Sequence, residues 1–289
     1  MAIYNLGSIN IDHFYRVGHF PAPGETLAAE SYATGLGGKG ANQSAAAAKA
    51  GARVFHIGAV GREGGWTVDR LRSWGVDTRH IAMTDDPTGH AIITLDRSGE
   101  NTIVLFPGAN RSMPFALAEA ALAGAMAGDT LLLQNETAHQ GDAARLARSL
   151  GMQVVYSAAP FDVAAITAVM DDITLLALNA VEAAQLTAAL GVALDQLDVP
   201  EILITRGADG AEWRARDGRR ATATAPKVDV ADTTGAGDTF LGYFVAGRDM
   251  GLSPDAALRR ASAAAGLKVT RRGTADAIPT AAEVDAFLA

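Results

Sequence analysis

Short apolar runs alternate with longer, alanine-rich stretches over most of the chain. Ile3 to Ile9 reads as a first buried strand, ending at Asn10-Ile11-Asp12. From residue 115 onward, apolar strands are expected at 130–133, 153–156, 173–178 and 201–205. Helices are expected between them, around 115–127, 141–150, 162–170 and 180–190. Near-continuous apolar strands separated by helices argue for a parallel sheet covered on both faces. Ala211 to Arg214 reads as a hairpin edge, and helices near 240–250, 254–266 and 280–288 close the chain. Two stretches break this alternation. Residues 14–34 carry the punctuation Pro21-Ala22-Pro23-Gly24, and residues 89–108 place two apolar runs around Ser98-Gly99. Both read as β excursions. Together (about 12–35 and 89–108) they predict a small sheet that covers a site as a lid, with apolar residues suited to a lid-to-lid homodimer. Trp66 and Trp74 are expected in the core or an interface. The fold class is α/β, one domain over residues 1–289.

The 289 residues are 49% hydrophobic and 19% charged, enough for a sizeable core and unlike a disordered chain. The net charge of −8, without a Lys/Arg cluster, excludes nucleic acid as the main partner but leaves nucleotides open. Cysteine is absent, so disulfides and thiolate chemistry are ruled out. No stretch reads as a signal peptide or approaches the roughly 18 apolar residues that span a bilayer. A cytoplasmic protein without a membrane partner is expected.

Candidate chemistry concentrates at Asp232-Thr-Thr-Gly-Ala-Gly-Asp-Thr-Phe240, followed by the apolar helix 240–246. Gly235, Ala236 and Gly237 open that helix with unshielded N–H groups, and the helix dipole adds positive potential. The result is an anion site suited to phosphate. Asp238 sits in the first turn beside it, as a general base toward an attacking alcohol or as an ordinary acidic helix start. Asn10 and Asp12, two residues apart on an extended backbone, share a face and suit a polyol or an Asx turn. Gly35-Leu-Gly-Gly-Lys-Gly40 matches Gly-x-Gly-x-x-Gly, but it lacks the core strand directly before it and the acidic residue after the second strand that a dinucleotide site needs. It is not a Walker A loop either, since Lys39 precedes a glycine. It reads as a glycine turn at which backbone, Lys39 and Asn42 meet a ligand. Further polar residues fall after strands: Gln134 to Glu136, Asn179 and Glu182, Arg206 and Gly207.

Gly37-Gly-Lys-Gly-Ala-Asn42 and Asp232 to Phe240 resemble the two signatures of the ribokinase-like (pfkB) carbohydrate kinases. Gly7 to Asp12, Phe20 to Thr26 and Pro107 to Asn110 resemble its ribokinase branch. The similarity covers nearly the whole chain in the expected order. It implies a Rossmann-like three-layer α/β domain with a β lid. It also implies phosphorylation, by MgATP, of a sugar's primary hydroxyl, with D-ribose first. Deoxyribose, a ketohexose or a nucleoside are the alternatives, and a non-catalytic sugar- or nucleotide-binding protein is a further one. Carried over by position, Asp238 is the base, and Gly235, Ala236 and Gly237 form the anion hole. Asn10, Asp12, Gly38, Lys39, Asn42 and Glu136 hold the sugar. Asn179 and Glu182 match an Asn-x-x-Glu that orders Mg²⁺ and phosphate through water. Thr205, Arg206, Gly207 and Gly210 line ATP. Asp232 and Thr234, with carbonyls near Lys268, Arg271 and Gly273, match a monovalent-cation (K⁺) site, in which Ala277 replaces the usual serine.

Overall fold

A computed structural model describes all 289 residues. The chain begins with strands β1 (Ile3–Leu6), β2 (Asn10–Arg16) and β3 (Ser31–Gly37). Helix α1 (Lys39–Lys49), strand β4 (Val54–Gly61), helix α2 (Gly65–Ser73) and strands β5 (Asp77–Thr84), β6 (Gly89–Leu95) and β7 (Asn101–Phe106) follow. After helices α3 (Ala109–Ser112) and α4 (Phe115–Leu122), strand and helix alternate. This run comprises β8 (Thr130–Gln134), α5 (Gln140–Ser149), β9 (Gln153–Ser157), α6 (Val163–Val169), β10 (Leu175–Asn179), α7 (Ala180–Leu190) and β11 (Glu201–Thr205). The chain ends with strands β12 (Ala211–Ala215) and β13 (Arg220–Ala223) and helices α8 (Ala236–Asp249), α9 (Pro254–Val269) and α10 (Ala281–Leu288).

A nine-stranded sheet runs β13-β12-β11-β10-β9-β8-β1-β4-β5 and is parallel from β11 to β5. Its central strands are buried on both faces, as their apolar sequences require. One layer packs α1, α8 and α9 against it, the other α4 to α7. Order reverses across β1 and β8, and the crevice outside the strand C-termini at such a switch is where open α/β sheets bind ligands.

The first strand is shorter than its apolar run predicts. It ends at Leu6, and after Gly7-Ser8-Ile9 the chain enters β2 of a second sheet. That sheet, ordered β3-β2-β6-β7, is the predicted lid. Asn10 and Asp12 therefore stand on a lid strand and not at the tip of a core strand. β5 was not expected: Asp77 to Thr84 is mostly polar, because it is an edge strand with one face in solvent. Trp66 is exposed, so it lies outside the core, while Trp74 is half-buried between the Lys49 and Arg70 cations. No helix is long and apolar enough to cross a membrane.

Candidate active site

The C-terminal ends of β1, β8, β10 and β11 converge with the N-termini of α1 and α8. Close packing of the two helices sets the geometry. A side chain at Gly242 would meet Ala46 Cβ at 2.5 Å and the Gln43 carbonyl at 2.7 Å. Contact this close brings the first turn of α8 beside α1. Asp238 is there held at both oxygens: Asn42 Nδ2 donates to Oδ2 at 3.0 Å, and Gln43 Nε2 donates to Oδ1 at 2.9 Å. Gln43 in turn accepts from Gln134 Nε2 at 2.8 Å, and Gln134 also donates to Asn5. This buried amide chain, which sequence reasoning missed, ties the carboxylate to two sheet strands. Its signal was two adjacent amides, Asn42-Gln43, in the first turns of an otherwise apolar helix.

Gly235 caps α8 in a left-handed conformation, φ 73°, open to glycine at little cost. The Gly235 and Gly237 amides have no protein acceptor, but Ala236 N–H donates to the Thr233 carbonyl at 3.1 Å. The anion hole thus differs from expectation at Ala236, whose amide closes the turn entering the helix. The free donors point into a cavity of about 190 Å³ that Lys39, Asn179, Glu182, Thr205 and Asp238 also line. A larger cavity of about 510 Å³ adjoins it and shares Thr205, Thr233, Ala236, Gly237 and Phe240. Gly207, Gly210, Pro226, Val228, Ser262 and Gly266 line its walls. Its volume and apolar walls suit a nucleoside. Arg206 is not among them; its guanidinium pairs with Glu212 at 3.1 Å.

Under the lid, Asp12 is buried and its carboxylate has no hydrogen-bond donor within the protein. Gly37, paired with Asn10 across the strands, leaves room for the Asp12 side chain: any Cβ there would lie 2.1 Å from Asp12 Oδ2. Burial, then the Glu136 carboxylate, pushes Asp12 up to about 7. Asn10 shares its face and accepts from Asn110 Nδ2 at 2.8 Å. Asn110 also clasps both backbone groups of Ile9, fixing the junction between sheet and lid. Lys39 stands between Asp238, Glu136 and Glu182; Asp238 does most to raise its pKa. Gly38, φ 90°, caps α1. Glu136 also has a structural role: it accepts from the Ser8 hydroxyl and, at 3.1 Å, from the Lys39 amide, so it caps α1 from the loop after β8. Burial raises its pKa, against the pull of Lys39.

Asn179 and Glu182 form a capping box on α7: Glu182 N–H donates to Asn179 Oδ1 at 2.9 Å, and Asn179 N–H to Glu182 Oε2 at 2.7 Å. Nowhere do three or more His, Cys, Asp or Glu side chains gather as a metal cage. Asp232 accepts amides on both oxygens, from Thr234 at 2.9 Å and Gly273 at 2.9 Å. Burial pushes its pKa up, but those amides and Lys268 outweigh this and hold it low. The cation expected there is contested, because the Lys268 ammonium donates to the Asp232 carbonyl at 3.0 Å. Arg271 turns its side chain away, to Glu283.

Residues 3–281 match the pfkB family carbohydrate kinase. The chain belongs to that family, whose members are phosphotransferases with an alcohol acceptor. It is 37% identical to the ribokinase of Haemophilus influenzae, over 98% of this chain and 97% of that protein. The crystal structure of Cryptococcus neoformans ribokinase with ADP superposes with a TM-score of 0.86 at 32% identity, covering 99% of each chain. Arabidopsis thaliana ribokinase with ribose and ATP gives 0.88 at 28% identity, covering 100% of this chain and 99% of that one.

Proposed function

We propose that this protein transfers the γ-phosphoryl group of ATP to the primary hydroxyl of a small sugar, D-ribose to ribose 5-phosphate. One observation carries the reading: the Asp238 carboxylate stands beside open helix amides where an apolar nucleoside-sized cavity meets a smaller pocket that Lys39, Asn179 and Glu182 line. ATP lies with its base in the larger cavity and its terminal phosphate at Gly235 and Gly237. The sugar lies under the lid, with hydroxyls donating to Asp12 and facing Asn10 and Lys39. Asp238 takes the hydroxyl proton as the sugar oxygen bonds to the γ-phosphorus and the bond from that phosphorus to the bridging oxygen breaks, releasing ADP. Phosphoryl transfer needs positioning and charge neutralisation more than covalent chemistry. The helix dipole and Lys39 supply the neutralisation.

Mg²⁺ would be held through phosphate and water, with Asn179 and Glu182, which line the smaller cavity, as the residues nearest to hold it. When bound, the ion offsets charge on the phosphate oxygens. The exposed lid residues Tyr32, Ile92, Val104 and Phe106 form an apolar face that we assign to a homodimer contact. With ATP as donor, the reaction belongs in the cytoplasm.

An ADP-release assay over ribose, deoxyribose, ketohexoses and nucleosides tests the assignment. Ribose should give the highest kcat/KM. A nucleoside preferred by an order of magnitude would remove the ribose reading, and NAD binding without ATP binding would remove the kinase reading.

A further inference from the structure

The segment leading into α8 is stitched to the end of α9. The Val269 carbonyl accepts the amides of Ala231 and Asp232, and the Asp232 carboxylate accepts those of Thr234 and Gly273. Inside this stitch lies Lys268, with no exposed surface. Its ammonium bonds the Asp232 carbonyl, and the neighbouring Asp232 carboxylate balances its charge. A lysine is almost never fully buried unless it is paired. Ala277, which stands where a hydroxyl would complete a ligand set, offers a buried methyl group. The enclosure thus already contains one negative and one positive group. A K⁺ ion added beside the half-buried Asp232 carboxylate would be an extra positive charge with no counter-charge left to balance it.

We propose that the tethered Lys268 ammonium replaces the monovalent cation: it holds residues 231–235, and with them the Gly235 and Gly237 amides, in place without K⁺. This proposal runs against the K⁺ expectation from sequence. The proposal rests on the kinase reading only where turnover is measured.

Thermal melting and turnover in KCl, NaCl and tetramethylammonium chloride at equal ionic strength test it. The wild type should show the same Tm and turnover in all three salts. Lys268→Met should lose about tenfold in turnover in tetramethylammonium, recover saturably with K⁺, and gain a K⁺-specific rise in Tm. Wild-type crystals soaked in thallium(I) should show no anomalous peak beside Asp232. K⁺-selective stimulation or stabilisation of the wild type, or thallium at Asp232, overturns the proposal. So does a folded Lys268→Met with full turnover in tetramethylammonium. If that variant fails to fold, the wild-type melting and thallium results decide. Those arms also stand if no sugar is phosphorylated, a result that would sink the kinase reading alone.

Discussion

Asp238 and Asp12 are both carboxylates in one cleft, and their surroundings give them different work. Asp238 is oriented by two amide donors and faces open helix N–H groups. Asp238→Asn keeps the shape and removes the base. Turnover should fall on the order of 10²–10⁴, while calorimetry shows sugar binding retained. An Asn variant with wild-type turnover would exclude Asp238 as base. The Asp12 carboxylate has no protein donor, which leaves it open to the sugar hydroxyls of the proposed reaction. Its folded-state pKa of about 7 means that it is ionised, and able to accept from those hydroxyls, only above that pH. As pH falls through about 7 the carboxylate protonates and that binding is lost. The kcat/KM for sugar should decline on the acid side, and sugar binding near neutrality should release protons, seen as a buffer-dependent enthalpy. Asp12→Asn should flatten that limb; an unchanged acid limb would assign it to another group.

At the scale of elements, the α1–α8 contact decides where the base sits. Gly242→Val places two methyl groups against Ala46 and the Gln43 carbonyl, where a lone Cβ already lies at 2.5 Å and 2.7 Å. Overpacking of this kind costs about 1–3 kcal/mol, and the helices must part. Tm should fall, and turnover should fall with it, because Asp238 moves away from Asn42 and Gln43. A Gly242→Val enzyme of normal Tm and turnover would show that the contact is not what positions the base.

At the scale of the whole molecule, the lid leaves apolar side chains in water. Val104 is 67% exposed and Phe106 47% exposed, on a strand at the sheet edge. A second lid would cover both the side chains and the unpaired edge. Sedimentation should therefore show a dimer, and Val104→Glu should shift it toward monomer while the Tm of the main domain changes little. A wild-type monomer at micromolar concentration would defeat this assignment.

Sequence alone determined the alternation of apolar strands and helices, the two β excursions, and the glycine-opened helix with its acid. Each is local: burial on both faces demands apolar runs, turns demand Gly and Pro, and a bare helix start demands small residues. The polar edge strand β5 escaped because one solvated face dilutes the apolar pattern. Only tertiary structure decided which polar side chains meet. Gln43 reaches Asp238 and is itself held by Gln134, Glu136 caps a helix from the loop after β8, and Lys268 bonds the Asp232 carbonyl beside the expected K⁺ site. These contacts join residues far apart in the chain, and a buried polar group is fixed by whichever partner the packing brings within hydrogen-bond reach.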